Sequence, residues 1–265
     1  QAIQKDKPIL IDFYTSWCGP CKMMDAQVFP DPMVSKTLQD HYLVLKLDAE
    51  TDALGKVLAA RYIVRSYPTF LILEPSLKVR SMSAGYKDIV FKVIGAEPGT
   101  KWLISAAERA IDPNQNIQGL LHSYNENKKD FEVASRLIDC LSICHMLDMK
   151  EEIIADFLSD ISEDKESIEN LWDIIDKSVS DIYSSGYSFL RDNGESFIEI
   201  IGADAVESKI DAVTRSAVNQ FIFRKRLSQE NFPKDKFDTL LSIVKSQNCY
   251  NNDYYLSLLK MIEEV

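Results

Sequence analysis

Ile9-Leu10-Ile11-Asp12-Phe13-Tyr14-Thr15-Ser16-Trp17-Cys18-Gly19-Pro20-Cys21-Lys22 is the stretch from which the rest of the chain is read. The apolar run Ile9–Ile11 reads as a buried strand, and the following pattern predicts a helix over Cys21–Val28, so two cysteines fall at a strand-to-helix turn. A sulfur at a helix N-terminus meets unpaired backbone N–H groups and the positive end of the macrodipole, which both favour an anion. The thiolate is the reactive form of cysteine, so Cys18 reads as a nucleophile. Cys21, one turn further in, is placed to attack a mixed disulfide formed at Cys18. Pro20 falls in the first helical turn, where its missing N–H removes no intrahelical bond.

A Cys-x-x-Cys also serves zinc sites, which need two further ligands at suitable spacing. Cys140, Cys144 and His145 are the clustered candidates, and they lie far away in a helical pattern. The redox reading is therefore preferred and no metal is expected.

Taken whole, Ile9–Lys22 closely resembles the active-site segment of the thioredoxin family. The resemblance implies a thioredoxin fold, a central mixed β-sheet flanked by helices, and a thiol-disulfide oxidoreductase. Its only redox group would be the Cys18–Cys21 disulfide, with no dissociable cofactor. Gly19-Pro20 matches the dipeptide of thioredoxin-type reductants, which favours a reductase of protein disulfides over an oxidase. Its partners would be protein disulfide substrates and an electron-donor protein that the sequence does not name.

Further residues are carried over one by one. Asp12 sits between Ile11 and Phe13; burial in a central strand would raise its pKa by desolvation, whereas the polar face of an edge strand would leave it exposed. The resemblance favours burial and matches Asp12 to the family's acid behind the second cysteine, implicated in proton transfer to or from the resolving thiol. Lys46 matches the lysine beside that acid, with a snorkelling surface lysine as the alternative. Pro68, in Tyr67-Pro68-Thr69, stands at the start of the apolar run Phe70–Leu73 and matches the family's cis-proline. A cis bond there lets Tyr67 present its backbone to a substrate chain as a short added strand. Tyr67 is bulkier than the aliphatic residue usual at this place, which bears on substrate choice. Gly85 matches a glycine that admits the substrate, or is a turn glycine needing positive φ. Trp17, Gly19 and Pro20 complete the substrate-contacting set.

Composition divides the chain. Of 265 residues, 1–110 carry 14 basic and 12 acidic side chains, whereas 111–265 carry 16 and 29; eight of the nine prolines fall at or before Pro113. Both shifts place a boundary near Asp112-Pro113, giving a thioredoxin-like domain over 1–111 and an all-helical domain over 112–265. In the first, strands are expected at Ile9–Tyr14, Tyr42–Asp48, Phe70–Leu73 and Val79–Ser83, the second of them buried. Helices are expected after the cysteines, at Met33–Gln39 beyond Pro30 and Pro32, at Leu54–Tyr62 and at Lys101–Ile111. In the second, apolar stripes at helical spacing, such as Ala134, Leu137, Ile138 and Leu141, suggest paired antiparallel helices, possible repeats without a fixed period. Cys140 and Cys144 share one helix face, where core packing is preferred to a redox pair.

The acidic second half argues against nucleic acid and anionic membrane as partners. No run reaches the length of a transmembrane segment. Val28-Phe29-Pro30-Asp31-Pro32-Met33-Val34 is similar to thioredoxin-like domains of bacterial envelope proteins, so a periplasmic or cell-envelope location is favoured, with the cytoplasm as the alternative. Two rival functions stay open: a partner- or peptide-binding module dominated by the helical half, and an isomerase or holdase in which that half shields unfolded clients.

Overall fold

A computed structural model describes residues 7–74, 88–159, 161, 164–227, 233–247 and 251–263. Strands β1 (Ile9–Tyr14), β2 (Leu43–Asp48), β3 (Thr69–Leu73) and β4 (Ile89–Ile94) form one sheet in the order β2-β1-β3-β4. β1 runs parallel to β2 and antiparallel to β3, which is antiparallel to β4. The mixed pattern follows from the connections: the parallel pair needs a helical crossover, and the chain between β1 and β2 supplies it.

That crossover comprises α1 (Gly19–Met23), a π-helical turn (Met24–Val28) and α2 (Pro32–His41). The helical run thus begins two residues before Cys21, because Cys18 rather than a later residue is the N-cap. It breaks at Phe29-Pro30 and restarts at Pro32, whose ring suits a first helical turn. Asp31 caps the restart by accepting from the N–H groups of Met33 at 2.8 Å and Val34 at 3.3 Å. Helix α3 (Ala53–Arg61) links β2 to β3, and α4 (Lys101–Ile111) follows β4.

Leu10, Ile11, Phe13, Phe70, Leu71, Ile89, Phe91 and Leu103 form a buried core on this sheet. β2 departs from the expectation of a buried strand. Val44 and Leu45 are 45% and 40% exposed, because β2 pairs on one side only among the described residues. Ile89–Ile94 supplies a strand the sequence reading did not assign, whereas the strand expected at Val79–Ser83 lies outside the described residues.

The chain divides into two compact units, Gln1–Leu147 and Asp148–Val265. Composition shifts at Asp112-Pro113, but the first unit also takes in α5 (Ile117–Glu126) and α6 (Phe131–Ile143). α5 packs on β4, and the Gln118 side-chain amide donates to the Ile89 carbonyl at 2.9 Å. Asn116 and Asp130 cap these helices through the N–H groups of Gly119 and Val133.

Among the described residues the second unit holds α7 (Leu147–Leu158, entered at its second residue), α8 (Lys165–Ser178), α9 (Ser185–Asp192), α10 (Gly194–Ile201), α11 (Ala203–Leu227), α12 (Lys234–Ser246) and α13 (Asn252–Glu263). Its core includes Leu171, Leu190, Phe197, Val218, Leu240 and Leu259. One polar set is buried among them. The Tyr187 hydroxyl donates to Gln247 Oε1 at 2.5 Å, and Gln247 Nε2 donates to Thr214 Oγ1 at 2.9 Å. Each group has a partner, as a buried polar group requires. No helix among the described residues is long and apolar enough to cross a membrane.

Candidate active site

Cys18 and Cys21 form a disulfide at the C-terminal end of β1, where the chain turns into α1. The turn is closed by the Cys18 N–H, which donates to the Thr15 carbonyl at 3.2 Å. Cys18 is extended and caps the helix with its own sulfur: Sγ accepts from the Cys21 N–H at 3.1 Å. A backbone donor that would stabilise a Cys18 thiolate therefore already points at this atom. Both cysteines are buried, 2% and 3% exposed, next to Trp17 at 64%.

Two loops hold Trp17. Its indole N–H donates to Glu50 Oε2 at 2.9 Å, and its ring meets Tyr67 edge-on with centroids 5.9 Å apart. Glu50 is placed by the turn after β2. There Asp48 Oδ1 accepts from the N–H groups of Glu50 and Thr51, while the Asp48 N–H donates to Asp52. Those backbone donors hold the Asp48 carboxyl below the usual range. Gly55, in the first turn of α3, packs against this turn, since a Cβ there would lie 2.1 Å from the Asp48 carbonyl oxygen.

The Tyr67–Pro68 peptide is cis, and Pro68 is buried at the entry to β3. The Pro68 carbonyl accepts from the Gly95 N–H at 2.8 Å, and Gly95 has a φ of +93° directly after β4. In the sequence Gly95 is marked only as a glycine ending the run Ile89–Ile94. Gly85 lies outside the described residues.

Asp12 is 3% exposed on β1, which is paired on both sides. Its register partners are Lys46 on β2 and Phe70 on β3. Burial pushes the Asp12 carboxyl up to about 6, against the pull of Lys46 and with a push from Asp25. Oδ2 is 3.8 Å from Lys46 Nζ, and Oδ1 has no hydrogen-bond partner among the described residues. Lys46 is itself hydrogen-bonded to Asp25, in the π-helical turn one helical turn beyond Cys21. The Tyr14 and Phe29 rings face the same ammonium, with centroids at 4.9 and 5.5 Å. Asp25 and Glu50 escaped the sequence reading. Asp25 alone left a trace, as an acid four residues after Cys21 in a helical pattern.

Cys140 and Cys144 are free and buried at the end of α6. The Cys140 thiol donates to the Gln115 carbonyl at 3.4 Å. Hydrogen bonding to the Cys140 thiol, with burial, pushes the Cys144 thiol well above its ordinary range. Among the described residues no group of His, Cys, Asp and Glu could hold a metal ion.

A mixed sheet with an intact Cys-x-x-Cys disulfide at the end of its central parallel strand defines a thioredoxin-fold protein. The Thioredoxin family profile matches residues 1–94. Thioredoxin-1 of Drosophila melanogaster is 37% identical over 78 residues, which cover 29% of this chain and 67% of that protein. The chain belongs to the thioredoxin family. Chloroplastic thioredoxin Y2 of Arabidopsis thaliana is 41% identical over 69 residues, 26% of this chain. The match spans only 38% of that relative's length. A solved thioredoxin from Thermus thermophilus aligns at 25% identity over 48% of this chain and 87% of that one, with a TM-score of 0.37.

Proposed function

We propose that the protein is a thiol-disulfide oxidoreductase that reduces protein disulfides. The observation that carries the reading is the Cys18–Cys21 disulfide, with Cys18 Sγ accepting the helix N–H of Cys21. In the reduced protein the Cys18 thiolate attacks one sulfur of a substrate disulfide. A mixed disulfide forms and one substrate thiolate leaves. Cys21 then gives its proton to Asp12 and attacks Cys18 Sγ, which restores the Cys18–Cys21 bond and expels the second thiolate. Two electrons pass to the substrate, whose thiolates take up protons. A partner dithiol reverses the sequence and Asp12 returns its proton to Cys21.

Asp12 suits this role because burial pushes its carboxyl up to about 6, close enough to neutrality to accept and release a proton. Trp17, Gly19, Pro20, Tyr67 and Pro68 form the docking surface, where the Tyr67 backbone pairs with an extended substrate chain. We place the protein in the periplasm or cell envelope on the double-proline segment Val28–Val34.

The test is a trap. A Cys21→Ser variant, which attacks but does not resolve, is expected to accumulate mixed disulfides at Cys18 with a reducible protein substrate. A Cys18→Ser variant that forms the same adducts through Cys21 would overturn the assignment of roles.

A further inference from the structure

Lys46 is shared unequally between two carboxylates. Its ammonium is hydrogen-bonded to Asp25 and boxed by the Tyr14 and Phe29 rings, while it stands 3.8 Å from Asp12 Oδ2. Asp12 is buried, with Oδ1 unpartnered among the described residues, whereas the side chains of Lys46 and Asp25 are 36% and 49% exposed. Among the described residues, the charged groups facing Asp12 are Lys46 from β2 and Asp25 from the helical turn; β3 presents apolar Phe70.

We propose that Asp25 is a positioning residue of this site: it fixes where the Lys46 ammonium stands relative to the Asp12 carboxyl, and so sets how readily Asp12 gives up its proton. The inference rests on the oxidoreductase reading for its purpose, but the coupling itself is independent of turnover. With Asp25 charged, the ammonium is drawn toward solvent and Asp12 keeps its proton to higher pH. Without it, Lys46 is free to close on Asp12 and favour the carboxylate, which weakens Asp12 as an acceptor for the Cys21 proton. Asp25 reaches Asp12 through Lys46 as well as by direct like-charge repulsion, and the experiment must separate the two.

The experiment follows the Asp12 carboxyl of the oxidised full chain by ¹³C NMR titration in wild type, Asp25→Asn, Asp25→Glu, Lys46→Met and the Lys46→Met/Asp25→Asn double variant. Asp25→Asn is expected to move the Asp12 midpoint down by about one pH unit, within the range for an opposite charge brought close. Asp25→Glu should restore it, and the shift should shrink by more than half when Lys46→Met is already present. An unmoved midpoint in Asp25→Asn overturns the coupling, as does an equal shift in the Lys46→Met background. The acid limb of turnover, measured on the same variants, addresses the other reading. A midpoint that moves while that limb stays put supports the coupling and contradicts the assignment of Asp12 to proton transfer.

Discussion

Lys46 and Asp12 are register partners on β2 and β1, yet 3.8 Å separates the ammonium nitrogen from the nearer buried carboxylate oxygen. Desolvation therefore outweighs the ion pair, and the Asp12 carboxyl rises from 3.8 to about 6. The folded chain holds this proton more tightly than the unfolded chain does. The stability it contributes is complete below pH 3.8, falls as pH rises toward 6, and stays lost above that. Asp12→Asn is expected to stabilise the protein at pH 8 by up to about 3 kcal/mol, with little gain at pH 4. Urea unfolding at the two pH values checks this, and equal gains at both would refute it.

Tyr67 touches Trp17 beside the disulfide, so Tyr67→Ala removes an aromatic contact and, under the proposed function, part of the substrate-docking surface. Losing the contact costs roughly 0.5–1.5 kcal/mol of stability, and KM for a protein disulfide is expected to rise. Turnover of a small disulfide such as oxidised glutathione should change little. A parallel loss with both substrates would argue for damage to the site rather than to recognition.

Gly55→Ala drives a Cβ against the Asp48 carbonyl oxygen, 2.1 Å away before relaxation. The turn that positions Glu50 under Trp17 must shift, at a cost of about 1–3 kcal/mol. Thermal unfolding reads the loss, and the Trp17 fluorescence should change with it. An unchanged spectrum would separate the turn from the site.

The candidate site is legible in the sequence wherever its parts are contiguous. Cys18, Cys21, Trp17 and the cap lie in one stretch, and Pro68 opens the apolar run of β3. What escaped depends on contacts between distant segments. Glu50 matters because a turn after β2 brings it to an indole 33 residues earlier. Asp25 matters because Lys46, on another strand, reaches it. β4 is the strand not legible in the sequence; its one charged residue, Lys92, is buried by the fold to 8% exposure. β2 was read as buried from apolar content alone, which carries no information on whether a strand is central or at an edge.

Cys140 and Cys144 should behave as core residues. Both are at most 2% exposed, and the Cys144 thiol is held far from ionisation. Iodoacetamide at neutral pH is expected to leave both unmodified in the folded chain and to label both in denaturant. Fast native labelling of either, followed by mass spectrometry, would show an accessible thiol.

The most direct measurement is insulin-disulfide reduction with dithiothreitol as donor, comparing wild type with Cys18→Ser. The expected result is catalysed turnover in the wild type that falls to the uncatalysed rate in the variant. Equal rates for the two proteins, with the Cys18–Cys21 disulfide still reduced by dithiothreitol, would contradict the assignment of a protein-disulfide reductase.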